Sequence, residues 1–390
     1  MERDVVGNRE KDGGTPQAKQ EPTVLFHVVN HVAIISLNRP SALNALSHEM
    51  ILELTRLFEF CRFDNEIVAV VLRGTGEKAF CAGGDVRALH SMVTRGESAW
   101  LQFFVDEYTL DHAIHTFPKP VVALLDGITM GGGMGLGQGA CLRVVTERTK
   151  MAMPETRIGL LPDVGATRFL AAMPLELELY VGLTGVTLSG GDAWYCNLAD
   201  IYAPSQWLAS FEERLRQTTM PDSEGHVLRA LRRVFEAPGT VTPPHSPLSE
   251  LVPLVFRHFA KRATVEEIVT SIQGDLEGER SDVAHNWLAS AENALLEHSP
   301  TMLKVTREAL LRGRQLPLAD CFRQELDMVS LAVREGDFRE GVRAHLIDKD
   351  RQPVWMPATL ESVEQERVRH FCSPPWAQDA HPLGELGGVL

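Results

Sequence analysis

The sequence predicts an α/β fold that continues into a mainly helical C-terminal half. Two continuous apolar runs, 67–72 (IVAVVL) and Val121–Leu125, are typical of strands that are covered on both faces. Segments with apolar residues at helical spacing alternate with these runs, beginning at Ser47. Beyond about Gly185 strand patterns become rare and helical patterns dominate. Buried strands that alternate with helices indicate a sheet covered by helices.

The individual elements follow in order from about Val24. The runs VLFHV and VAIISL predict a hairpin that turns at Asn30 and His31. Ser47 is predicted to cap a helix whose apolar positions extend from Met50 to Cys61. The other predicted elements are a helix after Asp85, a helix over 97–116, a helix after the glycine cluster, short strands at 144–145 and 151–153, and helices at 265–276 and 284–296.

Composition divides the chain into four parts. Residues 1–22 predict a disordered leader, because this acidic and polar segment lacks the apolar stretch of a signal peptide. Residues 23–230 predict the α/β core, and 231–372 predict the helical C-terminal region. The last part, 373–390, is rich in Pro and Gly and predicts a flexible tail. Residues 238–251 (PGTVTPPHSPLSEL) predict a linker or surface loop.

Charge and cysteine content exclude several classes of protein. The formal net charge of −14 argues against duplex nucleic acid as a partner, although an anionic small ligand can still bind a local pocket. No apolar run approaches the ~18 residues that span a bilayer. The six scattered cysteines form no C-x-x-C pair, which predicts a reducing compartment without a disulfide framework or a zinc site. We therefore expect a cytoplasmic protein that binds neither nucleic acid nor a membrane.

Two glycine-rich turns are candidate binding elements. The first turn is FCAGGD at 80–85, which follows one predicted strand. The second is GGGMG at 131–135, which follows another. Glycine lets a ligand approach the backbone, and two converging amides can form an oxyanion hole. The alternative is that both are tight turns without a ligand. Gly135, Gly137 and Ala140 also give a weak match to a dinucleotide-binding fingerprint.

Two carboxylates in the segment MPETRIGLLPDVG are the candidate acids. Glu155 and Asp163 bracket an apolar stretch, where desolvation would raise a carboxyl pKa and two nearby acids would push their pKa values apart. The alternative for Asp163 is to cap a helix that begins near Val164. Glu107, in FFVDEY, is by default a solvated helix position. No G-x-S-x-G motif is present, and Cys81 is more typical of a small buried residue than of a nucleophile.

Taken together, the motifs resemble the crotonase (enoyl-CoA hydratase/isomerase) superfamily. The matching segments are LNRP and LNAL at 37–46, KAFCAGGD at 78–85, KPVVA at 119–123, the glycines at 131–133 and MPETRIGLLPDVGAT at 153–167. The resemblance implies a crotonase-like spiral core of ββα units. It also implies that the amides of Gly84 and Gly132 bind a thioester oxygen. The residues implied to line the coenzyme A site are Arg39, Asn44, Ala45, Ala82, Gly83, Asp85 and Val86.

The sequence departs from the hydratases of that superfamily at their catalytic glutamates. One corresponds to Glu155, but the other falls on Gly135, and Asp163 stands where the hydratases usually have glycine. This pattern, with Glu107 and the C-terminal motifs at 299–306, 337–350 and 353–357, resembles the branch that hydrolyses 3-hydroxyacyl-CoA thioesters. The resemblance covers roughly residues 24–372 and implies that the helical C-terminal region completes the cover of the active site.

The implied activity is hydrolysis of 3-hydroxyisobutyryl-CoA, and also of 3-hydroxypropionyl-CoA, to the hydroxy acid and coenzyme A, as in valine breakdown. Glu155 would attack the thioester or activate a water, Asp163 would orient it, and Glu107 would bind the substrate hydroxyl. No metal or cofactor is expected beyond the coenzyme A of the substrate. The chain could act as a monomer or a homo-oligomer such as a trimer. The alternatives are an enoyl-CoA hydratase or isomerase, or a catalytically silent acyl-CoA-binding protein.

Overall fold

Two sheets form the N-terminal part of the protein. The computed structural model describes residues 21–221, 224–239, 244–260, 264–377 and 380–388, so nearly all of the predicted leader lies outside the described residues. Within these ranges the strands are β1 (Val24–Val29), β2 (Val32–Leu37), β3 (Ala69–Gly74), β4 (Ala79–Cys81), β5 (Val121–Leu125), β6 (Ile128–Met130), β7 (Leu142–Val145), β8 (Lys150–Ala152), β9 (Leu188–Ser189) and β10 (Ile201–Tyr202).

The larger sheet has the strand order β1-β2-β3-β5-β7-β10. Strands β1 and β2 form the predicted antiparallel hairpin, whose turn residues Asn30 and His31 both have positive φ, as a tight hairpin turn requires. The remaining neighbours in this sheet pair in parallel. In β2, Ile35 packs into one apolar core and Ile34 into a second core on the other face. This two-sided burial is why the strand sequences are continuously apolar.

The smaller sheet has the strand order β4-β6-β8-β9, and its first three strands are parallel. The chain places one strand in the larger sheet and the next in the smaller sheet three times in succession, as β3–β4, β5–β6 and β7–β8. A helix follows the first two of these pairs, which gives the ββα units that the resemblance implied. Because β4, β6 and β8 are parallel neighbours, the three loops that follow them meet at one edge of the sheet.

Helices surround both sheets. Those of the N-terminal part are α1 (His48–Phe63), α2 (Val86–Thr94), α3 (Ala99–His115), α4 (Gly132–Gln138), α5 (Ala166–Phe169), α6 (Leu175–Thr184), α7 (Gly190–Tyr195), α8 (Ser205–Leu208), α9 (Phe211–Gln217) and α10 (Glu224–Phe235). The Ser47 hydroxyl accepts a hydrogen bond from the amide of Met50 at 3.3 Å, which confirms the predicted cap of α1. Short 3-10 turns span Pro40–Ala42, Glu155–Ile158 and Leu170–Ala172.

The C-terminal half is helical, as predicted. Its helices are α11 (Pro247–His258), α12 (Val265–Leu276), α13 (Asp282–Glu297), α14 (Pro300–Gly313), α15 (Leu318–Glu335), α16 (Phe338–Val342) and α17 (Gln365–Phe371), with a π-helical turn at Arg343–Ile347. Helix α16 packs tightly on the Glu155–Ile158 turn, since a Cβ on Gly341 would lie 2.4 Å from the carbonyl carbon of Ile158. Helix α15 packs on α3 and α5. Within the described ranges no helix combines the length and apolarity that crossing a bilayer requires.

Two segments differ from their predicted structure. Helix α11 begins inside the predicted loop 238–251, because Ser246 caps it and Pro247 is compatible with a first helical turn. In the predicted flexible tail, Leu383 is buried and the indole of Trp376 donates a hydrogen bond to Asp327 at 2.5 Å. These contacts place the described part of the tail against α15, which the Pro- and Gly-rich composition did not indicate.

Candidate active site

The loops after β4, β6 and β8 bring three predicted functional residues to one edge of the smaller sheet. Gly84 follows β4, Gly132 follows β6 and Glu155 follows β8. The first two loops touch each other, because a Cβ on Gly83 would lie 3.4 Å from the amide nitrogen of Gly132. Gly83 also has a φ of +98°, a conformation that side-chain-bearing residues rarely adopt.

The amides of Gly84 and Gly132 both lack an acceptor among the described residues. The bridge between Leu46 and Gly84 uses the flanking groups, with the Leu46 amide donating to Gly83 and the Asp85 amide donating to Leu46. Gly132 is the first residue of α4, where an amide has no intrahelical partner. Two unpaired donors on adjacent turns are suited to bind a developing oxyanion.

Glu155 is a buried acid beside these amides. It begins the Glu155–Ile158 turn, and a Cβ on Gly131 would lie 2.9 Å from its Oε1. Its Oε2 is buried without a hydrogen-bond partner among the described residues. Burial raises the pKa of the Glu155 carboxyl well above its usual range, and the charges of Asp163 and Glu107 raise it further. The carboxyl can therefore exchange a proton nearer to neutral pH than an exposed glutamate.

Asp163 is held by a side chain and does not cap a helix. The hydroxyl of Tyr108 donates a hydrogen bond to Oδ2 of Asp163 at 2.5 Å, and both residues are buried. Helix α5 begins three residues later and has no side-chain cap, so the alternative role of Asp163 as a cap is wrong. Burial raises the pKa of Asp163 to about 6, and the hydrogen bond from Tyr108 opposes this rise.

Glu107 lies directly over Gly132. A Cβ at Gly132 would lie 2.2 Å from Oε1 of Glu107, so only glycine leaves room for this carboxyl group. Its Oε1 is buried without a partner among the described residues, in contrast to the solvated position that the helical pattern favoured by default. Burial raises the pKa of Glu107, and Asp163 raises it further.

These groups line a cavity of about 480 Å³. Of the predicted site residues, it is lined by Ala82, Gly83, Gly84, Val86, Glu107, Gly132, Glu155 and Asp163. Phe103 and Phe104 add apolar surface, and Arg157, His345 and Arg351 add polar or cationic surface. The last two come from the C-terminal half, so this half contributes part of the cavity wall. A partly apolar cavity with a few converging polar groups is typical of a small-molecule site.

Four further predicted residues shape the adjoining loop and do not line the cavity. Asn44 is buried, and its side-chain amide donates to the carbonyls of Thr75 and Ala79 at 3.0 and 2.9 Å. Arg39 contacts Asp85 at 3.1 Å and donates to the carbonyl of Ala45 at 2.7 Å. A direct contact of Arg39, Asn44, Ala45 or Asp85 with coenzyme A stays a prediction.

The structure does not support the weaker motifs. Gly135 and Gly137 lie inside α4, where a Cβ would meet Asp111 at 2.5 Å and Leu125 at 2.7 Å, so neither glycine is open to a dinucleotide. Cys81 is buried, and burial raises the pKa of its thiol to about 12, which disfavours a thiolate nucleophile. In the ranges that the structure describes, no group of three or more His, Cys, Asp and Glu side chains is arranged to hold a metal ion.

Three buried residues around the site were missed by the sequence reasoning: Tyr108, Asp111 and Glu325. Asp111 is one helical turn after Glu107, and this spacing of two acids on a largely apolar helix was an available signal. Tyr108 is adjacent to Glu107 in α3. Glu325 lies in α15 and is separated from the site loops by about 160 residues, so no local pattern could have revealed it.

The geometry and the comparisons define the same class of protein. A sequence model of the family described as enoyl-CoA hydratase/isomerase matches residues 32–372, which is most of the chain. The protein therefore belongs to the enoyl-CoA hydratase/isomerase family, and the resemblance predicted from its motifs is confirmed. A carnitinyl-CoA dehydratase from Mycobacterium thermoresistibile has the same fold, with a TM-score of 0.79 and 35% identity over 90% of this chain and 96% of that one.

Two relatives of similar sequence identity have different names. The mitochondrial 3-hydroxyisobutyryl-CoA hydrolase of Danio rerio is 38% identical over 356 residues, covering 91% of each chain. The small ribosomal subunit protein mS47 of Neurospora crassa is 37% identical over 360 residues, covering 89% of this chain and 70% of that one. Because relatives of similar identity have such different names, the acids of the site are needed to assign a reaction.

Proposed function

We propose that this protein hydrolyses the thioester of 3-hydroxyisobutyryl-CoA to 3-hydroxyisobutyrate and coenzyme A, a step of valine breakdown. The observation that supports this proposal most directly is one buried glutamate, Glu155, beside two unpaired main-chain amides and a second acid, Asp163. By the resemblance to the hydratases, their second catalytic glutamate corresponds to Gly135 in this chain. The Danio rerio relative is named for the same reaction.

The amides of Gly84 and Gly132 would stabilise the tetrahedral intermediate. Attack on the thioester carbonyl moves negative charge onto its oxygen, and the two unpaired amides offer preorganised donors for that charge. A donor of this kind contributes on the order of 3–4 kcal/mol to transition-state stabilisation. The buried surroundings strengthen the interaction because little water competes for the oxyanion.

Glu155 would drive the attack by one of two routes. Its carboxylate either attacks the carbonyl carbon and expels the thiolate, leaving a mixed anhydride that water opens, or takes a proton from the water that attacks. In both routes the carbon–sulfur bond breaks and one water is consumed. Asp163, fixed by Tyr108, would orient Glu155 or the water as a carboxylate. The proton that the departing thiolate accepts comes from the water that is consumed and is relayed by Glu155 or Asp163.

Glu107 would select the acyl group. Its carboxyl lies over Gly132, one of the two oxyanion donors, and has an unpaired Oε1 that can bond a hydroxyl group on the substrate. A site with a buried polar group rejects analogues that leave this group unpaired, by up to roughly 10⁴-fold. We therefore also propose 3-hydroxypropionyl-CoA as a substrate, since it has a hydroxyl group in the equivalent position.

The remaining proposals concern where and in what form the protein acts. We also propose that the reaction needs no metal or redox cofactor. The oligomeric state, either a monomer or a homo-oligomer such as a trimer, is likewise a proposal. The predicted cytoplasmic location is also a proposal, and the name of the mitochondrial Danio rerio relative points to another compartment.

Release of free thiol from a panel of acyl-CoA substrates tests the proposed function. We expect turnover of 3-hydroxyisobutyryl-CoA and 3-hydroxypropionyl-CoA, with a loss on the order of 10³-fold or more in Glu155→Gln and a substantial loss in Asp163→Asn. Wild-type rates that persist in Glu155→Gln would contradict the assignment. Hydration of crotonyl-CoA without thiol release would favour a hydratase, and binding of all esters without turnover would favour a silent binding protein.

A further inference from the structure

The loop that bears Asp163 has an unusual backbone. Val164 has a φ of +53° and Gly165 has a φ of +85°. A β-branched residue in the left-handed region is a conformational outlier that costs on the order of 1–3 kcal/mol. Such a conformation persists only where neighbouring groups hold it. The groups that hold this loop therefore determine where the Asp163 carboxylate points.

Glu325 supplies three of the hydrogen bonds that hold the loop. Its Oε2 accepts from the amide of Gly165 at 2.7 Å, and its Oε1 accepts from the amide of Thr167 at 2.9 Å and from the Thr167 hydroxyl at 2.6 Å. Glu325 has no solvent exposure, so water does not replace these contacts. They also satisfy amides at the start of α5, which has no side-chain cap of its own.

Helix α15 contacts both supports of Asp163. Phe322, three residues before Glu325, lies against Gly165, where a Cβ would come within 3.0 Å of its ring. The same ring lies 5.8 Å, centroid to centroid, from Tyr108, which donates to Asp163. One face of α15 thus contacts the backbone of the loop and the side chain that holds Asp163.

We infer that Glu325 is a positioning residue for thioester cleavage, which fixes the strained 163–167 loop so that Asp163 faces Glu155. This inference rests on the proposed function and deepens it, because it assigns a role at the site to a residue of the C-terminal half. Glu325 does not line the cavity and would act through Asp163. It makes α15 a part of the catalytic apparatus in addition to a cover for the core.

The hydrogen-bond geometry predicts that a glutamine at position 325 would not reproduce these contacts. In all three contacts a donor of the loop points at a carboxyl oxygen. A glutamine would turn its NH₂ group toward one oxygen's donors and leave those donors unpaired. Burial raises the pKa of Glu325 to about 8, while the three donors oppose this rise. The ionised carboxylate accepts all three hydrogen bonds at once, whereas a protonated carboxyl, like a glutamine, has a donor of its own.

Two measurements on Glu325→Gln test the inference. We expect kcat for 3-hydroxyisobutyryl-CoA to fall by about 10- to 100-fold with KM within about three-fold of wild type, because a displacement near 1 Å has an effect of this size. We also expect faster hydrogen–deuterium exchange of the amides in 163–167. Exchange needs no activity, so it tests the positioning role even if the wild type proves unable to cleave the thioester, a result that would contradict only the proposed function.

Glu178→Gln is the matched control. Glu178 is also fully buried, accepts a hydrogen bond from Arg314 and lies outside the cavity lining, so its replacement reports the general effect of a buried amide. Its kcat and the exchange of 163–167 should stay at wild-type levels. Wild-type kcat and wild-type exchange in Glu325→Gln would overturn the inference, and so would an equal loss of kcat in Glu178→Gln.

Discussion

Replacing Gly133 by alanine tests the spacing between the two main-chain amides without altering either of them. Gly133 follows Gly132 in the second glycine turn, and its Cα faces the first turn. A Cβ at this position would lie 2.2 Å from the carbonyl oxygen of Cys81 and 2.9 Å from its carbonyl carbon. Both of these are backbone atoms of β4, so no side chain can rotate away to relieve the clash.

The size of the displacement follows from this distance. An ordinary van der Waals contact of a Cβ with a neighbouring heavy atom begins at 3.4 Å, so the two turns must separate by roughly 1 Å to accept the new methyl group. Because Gly132 lies on one turn and Gly84 on the other, this separation moves one oxyanion donor away from the other. A misplacement of this size costs on the order of 10²-fold in rate.

The assay is steady-state thiol release by Gly133→Ala, with thermal unfolding measured alongside. Gly137→Ala is the control in the same helix, because the nearest atoms to its Cβ all belong to the side chain of Leu125, with Cδ2 closest at 2.7 Å, and a side-chain rotation can relieve this contact. We expect kcat to fall by about 10²-fold in Gly133→Ala and by less than about three-fold in Gly137→Ala. A folded Gly133→Ala variant with wild-type kcat would refute the proposed donor pair.

Three further predictions concern the acids and the neighbouring loop. Because burial and the Asp163 charge raise the pKa of Glu155, the acid limb of kcat/KM should lie above the usual carboxyl range, and Asp163→Asn should move it to lower pH by removing a negative neighbour; an unmoved limb would count against this coupling. Glu107→Leu should reduce the preference for 3-hydroxyisobutyryl-CoA over isobutyryl-CoA by at least about ten-fold, and an unchanged ratio of kcat/KM values would remove the hydroxyl-binding role. Asn44→Ala should lower the free energy of unfolding by about 2–3 kcal/mol in a denaturant titration, because the buried carbonyl of Ala79 and the half-buried carbonyl of Thr75 lose their donor; a loss under about 0.5 kcal/mol would contradict it.

The larger sheet and the first helices could be predicted from the sequence because local patterns determine them. Strand β5 is a short apolar run that proline and glycine interrupt on either side, and burial on both faces leaves no alternation to misread. Ser47 and Asp85 cap α1 and α2 through their own side chains, so these boundaries are encoded within four residues. The sequence placed the two glycine turns after the apolar runs of β3 and β5, but they follow β4 and β6 of the smaller sheet. These two strands were not predicted, since three-residue strands give no periodic signal.

The surroundings of the acids could not be predicted because they depend on contacts between distant segments. Glu107 has charged and polar neighbours in sequence, yet the fold buries it over Gly132, which lies in a different ββα unit. Asp163 resembled a helix cap because a helix does begin nearby, but Tyr108 of α3 binds its side chain. Glu325 is more than 150 residues from the loop that it holds. In each case the partner belongs to another element, and a single sequence contains no record of that pairing.

The packing around Gly135 supports the proposed cleavage of a thioester over addition of water to a double bond. In the hydratases that the sequence resembles, the second acid corresponds to Gly135, but a Cβ there would lie 2.5 Å from Oδ2 of Asp111 and 2.7 Å from Cβ of Val164. The space is thus occupied by the buried carboxyl of Asp111, whose pKa is raised by burial, and by Val164, whose positive φ belongs to the strained loop that carries Asp163. Placing a glutamate at Gly135 would displace Val164 and with it Asp163. The observed Asp163 loop therefore requires glycine at position 135. A glutamate at 135 is sterically incompatible with the observed position of Asp163.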